Sequence, residues 1–335
     1  MKELIPIGLF QKGQVKYFRR DFIKNIFLSL LGLFSIGGVS MSLMKNENKK
    51  FKKIKFSYKV NDKHWVGDGF YVHGLLRPSD ELNKFISPFI LMDYASPKEF
   101  SKTTQRRGVG EHPHRGFETV TLAYQGEIEH RDSSGGGGVI TAGGVQWMTA
   151  GSGVVHDEFH SGQFSSTGGI FEMVQLWVNL PKKDKMTKPK YQGLSDGDIP
   201  KVKIAQSSSL RVIAGEFDGV KGPSSTFTPI NMYDLTSESG DKINLKLQDG
   251  SNTILLIMSG QVELLGQTYD EQNVVIFERE GEELELVISK NFKGLILNGE
   301  PIDEPMVAHG PFVMNTKQEI IEAINDFQAG KMGRL

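Results

Sequence analysis

Glu111-His112-Pro113-His114-Arg115-Gly116-Phe117-Glu118 sets two histidines two residues apart around a proline. On a strand, side chains two apart share a face, so His112 and His114 project together and Pro113 turns away. Proline offers no N–H to a ladder, which puts the stretch at a strand start or on a sheet edge. About one β-hairpin further on, His156-Asp157-Glu158 repeats the spacing with a third imidazole and a carboxylate. If two such strands are neighbours in a small barrel, the donor atoms of His112, His114, His156 and Glu158 converge on its interior. Three neutral imidazoles and one carboxylate leave about two open positions in an octahedral shell. Open positions separate a catalytic metal from a sealed structural one. A single histidine is more often a hydrogen-bonded core residue. The second pair and its glycine-rich approach, Ala150-Gly151-Ser152-Gly153, favour a metal.

The other histidines carry weaker signals. His130, followed by Arg131-Asp132, reads as a surface hairpin residue. His160 shares a strand face with Glu158 and is a candidate for a group behind the ligands. His64 and His73 lack partners. His309 is the only histidine after Leu180, so the second half of the chain has no equivalent three-histidine set.

The chain around these segments reads as all-β. Its 335 residues approach two typical domains. Gly69-Phe70-Tyr71-Val72, Phe89-Ile90-Leu91-Met92, Thr119 to Tyr124, Gln146-Trp147-Met148 and Gln175 to Leu180 are short β-branched or aromatic runs separated by turn signals. A core role for Trp147 outweighs a place in a substrate pocket. Ser133-Ser134-Gly135-Gly136-Gly137-Gly138 has no strand-to-helix context and no Lys-Ser/Thr after it, so it is a hairpin tip, not a phosphate loop. Pro181 to Pro200 is polar and lysine-rich and reads as the connection between two halves. The second half adds Leu210 to Ala214, Thr253 to Met258 and Leu284 to Ile288. Ser259-Gly260-Gln261-Val262-Glu263 echoes Tyr124-Gln125-Gly126-Glu127-Ile128-Glu129, a weak internal duplication. Lys317 to Gln328 has helical apolar spacing, with Thr316 and Glu319 as a capping box and Gly330 at the stop.

Several function classes are excluded or disfavoured. The chain has no cysteine, which removes disulfides, thiolate zinc sites, Fe–S clusters and cysteine nucleophiles. No basic stripe or RNP-like aromatic signature accompanies the net charge of −1, so no nucleic acid is expected as a partner.

The N-terminal region reads as an address. Lys16-Tyr17-Phe18-Arg19-Arg20-Asp21-Phe22-Ile23-Lys24 precedes an apolar stretch from Ile26 to Val39 and small residues at Gly38, Ser40 and Ser42. Paired arginines, an aromatic and a lysine ahead of a weakly apolar region resemble a twin-arginine export signal. Residues 1–42 are therefore expected to be a signal peptide recognised by the twin-arginine translocation machinery. The protein would be periplasmic or otherwise exported, with no membrane contact after cleavage. The alternative is an uncleaved anchor, since Ile26 to Met44 just reaches spanning length. Residues 1–42 carry 6 Lys/Arg and 2 Asp/Glu, so their removal takes the net charge from −1 to −5. Residues 43–55, with the run Lys49-Lys50-Phe51-Lys52-Lys53-Ile54-Lys55, are expected to be a solvated linker.

The runs His112 to Val120 and Gly144-Val145-Gln146-Trp147-Met148-Thr149-Ala150-Gly151-Ser152-Gly153-Val154-Val155-His156-Asp157-Glu158, with the tail Gly310-Pro311-Phe312-Val313-Met314-Asn315-Thr316, resemble the pirin family. The resemblance runs from about Val66 to the C-terminus. It implies a bicupin: two tandem cupin, jelly-roll-like β-barrels with a short C-terminal helix, residues 56–190 holding the metal and residues 191–335 forming a cupin without ligands. It implies His112, His114, His156 and Glu158 as ligands of one divalent transition metal. Fe(II) is the first expectation; Mn, Ni, Co and Cu suit the same donors. In the wider cupin superfamily the carboxylate ligand follows the His-x-His closely, which here is Glu118. The pirin pattern points to Glu158, with Glu118 as a partner of an imidazole or of Arg115.

Some bacterial pirin relatives cleave quercetin with O₂. The resemblance thus implies an oxygenase acting on a small aromatic substrate, with Glu158 as general base for the flavonol 3-hydroxyl. A non-catalytic, metal-dependent binding or redox-sensing protein is the alternative. Export signals are not usual in the family, and the nuclear role of some members does not transfer.

Overall fold

Alternate residues of the long strands go to two different cores, and that division builds the molecule. In Asn252–Ser259, Ile254 and Leu256 join one apolar cluster while Leu255 and Ile257 join another. Asn273–Phe277 and Phe292–Gly299 divide in the same way, Val274, Ile276, Leu295 and Leu297 against Val275, Phe277 and Ile296. A strand buried on both faces reads as a continuous apolar run, which is how these segments look in the sequence.

The structure is a computed structural model that describes residues 50–335. The twin-arginine stretch, with the rest of the expected signal segment, lies outside the described residues. The first barrel has a seven-stranded sheet in the order Lys190–Leu194, Val145–Thr149, Phe117–Gln125, Gly169–Asn179, Phe89–Phe100, Phe70–Leu76, Lys63–Val66. Its four-stranded sheet runs Gly108–His114, Val154–His160, Ile128–Asp132, Gly137–Ile140. The second barrel has a seven-stranded sheet in the order Ile54–Lys59, Asn273–Phe277, Asn252–Ser259, Phe292–Gly299, Ile230–Ser237, Ser208–Ala214, Lys201–Lys203. Asp241–Lys246, Glu283–Ile288, Val262–Leu264 and Gln267–Tyr269 form its smaller sheet. This is the all-β, two-cupin architecture expected from the sequence, with helix Lys317–Gln328 near the C-terminus and its Thr316–Glu319 capping box in place. Gly126 and Gly260 lead from a large-sheet strand towards a small-sheet one at φ +80° and +76°, the geometric counterpart of the duplicated sequence.

The two large sheets face each other. Val120, Leu122, Trp147 and Leu176 of the first pack with Ile254, Leu256, Ile276 and Leu297 of the second in one cluster. Trp147 is fully buried there, in the core role expected of it. The second barrel is packed with apolar side chains such as Leu210, Leu235, Leu255 and Phe292, and among the described residues neither histidine-containing ligand group lies in it.

The chain ends are exchanged between the barrels, and here the structure departs from the expected domain limits. Ile54–Lys59 is an edge strand of the second barrel's large sheet, paired with Asn273–Phe277, so residues 56–59 do not belong with the first barrel. Lys190–Leu194 pairs with Val145–Thr149, so residues 191–194 belong to the first. The expected solvated linker is also corrected. Lys52 is buried, and its Nζ donates to the carbonyls of Ser251, Glu278 and Arg279 at 3.2, 3.4 and 3.1 Å. Burial pulls its ammonium down to about 8. Nor is Pro181 to Pro200 a plain connection. Lys185 is buried within it and donates to Gly116 O, Asn179 Oδ1 and Val313 O at 2.8, 2.8 and 2.9 Å. It ties the C-terminal segment to the first barrel.

Period-two alternation also places Glu118. On Phe117–Gln125, Val120 and Leu122 face the layer between the barrels, and Glu118 shares their parity. Its Oε1 accepts from Thr149 Oγ1 at 2.7 Å, while Oε2 is buried without a partner. Burial pushes the carboxyl from its ordinary 4.5 up to about 7, against the opposing hydrogen bond of Thr149. The native state therefore holds this proton more tightly than the unfolded chain. The contribution of this group to stability is fully present below about pH 4.5 and is lost as pH rises through 7, by on the order of 3 kcal/mol for such a shift. Glu118→Gln should match the parent protein at pH 4 and exceed it in urea-unfolding free energy above pH 7; equal stabilities across that range would refute the assignment.

Candidate metal centre

Gly108–His114 is the outer strand of the first barrel's smaller sheet, where Pro113 interrupts no central ladder. It pairs antiparallel with Val154–His160, with His112 opposite His156 and His114 opposite Val154. Between His156 and Glu158 the register shifts, and Glu158 meets Val109. The outer strand thus carries an extra residue at Gly110-Glu111. A bulge bends the strand and re-aims the next side chain, and here that side chain is His112.

The three imidazoles converge. Ring centroids lie 4.8 Å apart for His112–His114, 4.2 Å for His112–His156 and 4.8 Å for His114–His156. One nitrogen from each falls within 4.8 Å of the others. His114 and His156 are buried and His112 is half-buried. Each ring has its Nδ1 engaged. His112 Nδ1 is 2.8 Å from Gly110 O, His114 Nδ1 is 3.3 Å from Pro311 O, and His156 Nδ1 is 3.4 Å from His130 Nδ1. Carbonyl oxygens only accept, so His112 and His114 carry their protons on Nδ1 and leave Nε2 bare. Nε2 of His156 is buried with no hydrogen-bond partner.

Desolvation by burial holds all three rings below the ordinary imidazole range, well below it for His114 and His156, and the neighbouring imidazoles add to this in those two. Neutral imidazole is the ligating form. Unpartnered nitrogen at this depth costs about 1–3 kcal/mol unless something meets it. A divalent transition ion meets that need, so the residues present fit a metal.

Glu158 is brought to the same barrel interior but not into the three-histidine group. Its carboxylate clusters with His130 and His156, and its Oε1 accepts from Thr121 Oγ1 at 3.2 Å. The same hydroxyl lies 2.8 Å from Gln175 Oε1, so its one proton is shared between the two acceptors. Glu118 joins neither group, and it partners neither an imidazole nor Arg115. The Arg115 guanidinium donates to Ser152 O and to Asp326 Oδ2 at 2.6 and 2.9 Å instead. His160 is not behind the cluster: its Nε2 lies 3.0 Å from Gly69 O, and its ring packs among Phe70, Phe100, Phe164 and Phe171.

Three contributors went unread in the sequence. His130, expected on the surface, is buried and stacked on Tyr191 at 5.3 Å. Asp132 sits beside it. Burial opposes the ionisation of Asp132, but hydrogen bonds from His130, Ser134 and Gly136 outweigh it and hold the carboxyl down at about 2. The spacing His130-x-Asp132 on a strand was the available signal, the same one that marked His112 and His114. The third contributor is the C-terminal segment. Pro311 supplies the acceptor for His114, and Phe312 forms a bridge with Arg115.

Comparison with known proteins agrees with this geometry. The Pirin family model matches residues 73–178, and the Pirin C-terminal cupin domain model matches residues 232–333. A Pseudomonas aeruginosa protein named "Putative quercetin 2,3-dioxygenase PA2418" is 47% identical over 284 residues, 84% of this chain and 99% of its own length. A tomato (Solanum lycopersicum) pirin-like protein is 39% identical over 80% of this chain and 88% of its own. The crystal structure of a quercetin 2,3-dioxygenase from Acinetobacter baumannii superimposes with a TM-score of 0.82 at 52% identity, covering 84% of this chain and 99% of that one. A chain with two cupin barrels, a histidine cluster that among the described residues lies in the first, and family-model matches to both halves is a member of the pirin family.

Proposed function

We propose that this protein is a mononuclear metal oxygenase of the quercetin 2,3-dioxygenase type, acting with O₂ on a flavonol or a related aromatic bearing an acidic hydroxyl. The observation that carries the reading is the convergence of three imidazoles with bare nitrogens beside a carboxylate. The names of its relatives in Pseudomonas and Acinetobacter support it. Nε2 of His112, His114 and His156, with the carboxylate of Glu158, would hold the ion. Fe(II) is the proposed occupant, with Mn, Ni, Co and Cu satisfied by the same donors. Bound there, the metal would act as a Lewis acid that lowers the pKa of a ligated hydroxyl and brings redox chemistry within reach of O₂.

The chain's own groups do the remaining work. Glu158 is the general base: the oxygen that accepts from Thr121 Oγ1 would also face the ion, and the other takes the hydroxyl proton. His112, the half-buried member, marks the side from which a substrate reaches the cluster. Phe117 and Trp177 pack against His114 at centroid distances of 5.0 and 5.2 Å and keep water from that flank.

Elemental analysis should find about one transition metal per chain. His112→Ala should lose both that metal and quercetin-dependent O₂ uptake; uptake surviving in this variant would sink the site. Glu158→Gln, compared per bound metal, should slow uptake by about 10²-fold or more, the usual scale for a lost general base. Unchanged turnover per metal would remove Glu158 from that role.

We also propose export through the twin-arginine route, on the strength of Arg19-Arg20 with Phe22 and Lys24 ahead of the apolar stretch. Replacing both arginines by lysine should retain the protein in the cytoplasmic fraction of its host, and an unaltered distribution would overturn the address.

A further inference from the structure

His130 and Asp132 form a buried pair that the chemistry above does not use. Both lie on Ile128–Asp132, the strand on the other side of Val154–His160, with Asp132 opposite His156 and His130 opposite Glu158. Asp132 has two different faces. Its Oδ1 accepts from Ser134 N, Ser134 Oγ and Gly136 N at 2.8, 2.6 and 3.1 Å, closing the hairpin turn. Its Oδ2 is left for His130 Nε2 at 3.3 Å. A carboxylate only accepts, so His130 carries a proton on Nε2 and its Nδ1 is the acceptor. That Nδ1 is met by the Gln146 amide Nε2 at 3.1 Å and by His156 Nδ1 at 3.4 Å. Two bare nitrogens would repel at that distance, so a proton on Nδ1 of His156, sharing the His130 lone pair with Gln146, satisfies the contact and leaves the unpartnered Nε2 bare.

We propose that His130, held by Asp132, is a positioning residue that fixes His156 in the tautomer able to bind the metal through Nε2. The inference rests on the metal-centre reading and extends it. His112 and His114 obtain the same tautomer from backbone carbonyls, which are permanent acceptors. His156 lies where no carbonyl serves, and a two-residue side-chain relay replaces one. Groups behind a ligand that set its tautomer commonly change metal affinity by about 10–100-fold when lost.

The relay is reversible by a single atom exchange. In Asp132→Asn, the three turn donors hold the amide oxygen at the Oδ1 position, so the NH₂ must point at His130. It then donates to His130 Nε2, the His130 proton moves to Nδ1, and His156 is driven to protonate Nε2. His130→Leu removes the acceptor outright. His130→Asn keeps an amide oxygen close to the lost Nδ1.

The test uses Co(II) as the probe metal, added to metal-free full-length protein. Affinity comes from titration, and exchangeable ligand N–H signals from hyperfine-shifted proton NMR. The parent protein should show three such signals. Asp132→Asn and His130→Leu should bind Co(II) about 10–100-fold more weakly and lose the His156 signal, while His130→Asn should stay within about threefold of the parent. If Asp132→Asn and His130→Leu bind as the parent does, the positioning role is overturned and the centre stands. If His130→Asn loses Co(II) as fully as His130→Leu, His130 acts as a ligand or a filler and the role is again overturned. If the parent protein takes up no Co(II), the metal-centre reading falls and takes this inference with it. A measurement without variants decides independently: histidine ring ¹⁵N shifts of the metal-free parent should report His156 protonated on Nδ1, and protonation on Nε2 refutes the proposal.

Discussion

The pairing of Val154–His160 with Gly108–His114 is the constraint on which the site depends, because it sets His156 opposite His112. Strand side chains have a period of two, so a slip of one residue would turn His112 and His114 out of the barrel together. The register is held from several sides. Gly108 approaches the neighbouring strand so closely that a Cβ there would lie 2.1 Å from Glu158 O. The Gly110-Glu111 bulge then supplies both the kink that aims His112 and the carbonyl that orients its ring. One local irregularity thus positions a side chain and selects its tautomer.

The two barrels spend their interiors differently. The second is filled by leucine, isoleucine, valine and phenylalanine, and its large sheet forms half of the layer between the barrels. The first keeps its apolar packing at that layer and in an aromatic cluster around Phe100 and Phe171. Elsewhere its interior is polar: Thr121, His130, Gln146 and Glu158 are all buried. Interior polar groups cost stability unless they are hydrogen-bonded, and the bonds among them are nearly complete. The exceptions are informative. His156 Nε2, Gln146 Oε1 and Thr119 Oγ1 have no partner, and all three belong to the first barrel.

Much of this was legible in the sequence, and the rest was hidden for identifiable reasons. Alternation on His112-x-His114 and His156-x-Glu158 needs no tertiary information, and the all-β class follows from strand runs with glycine turns, while the two tandem barrels follow from the pirin resemblance. The same alternation, counted from Val120, would have sent Glu118 to the layer between the barrels. His130 was misjudged because Arg131 and the glycine-rich tip beside it look solvated, and one strand can be wet on one face while buried on the other. The exchange of Ile54–Lys59 into the second sheet had no local signature, since lysine-rich edges are common on exposed strands. Lys52 and Lys185 are buried against carbonyl groups that no pattern in a sequence reveals.

The C-terminal segment reaches back to the first barrel through Pro311, Phe312 and Val313, with Arg115, Lys185 and the helix Lys317–Gln328 as its moorings. Gly116 has no side chain because Val313 O stands 2.0 Å from where its Cβ would be. A ribosome makes His112 and His114 some two hundred residues before Pro311. The nascent first barrel therefore emerges without the carbonyl that orients His114. The acceptor that orients His114 exists only after nearly the whole chain has been synthesised, so products terminated before Pro311 lack it.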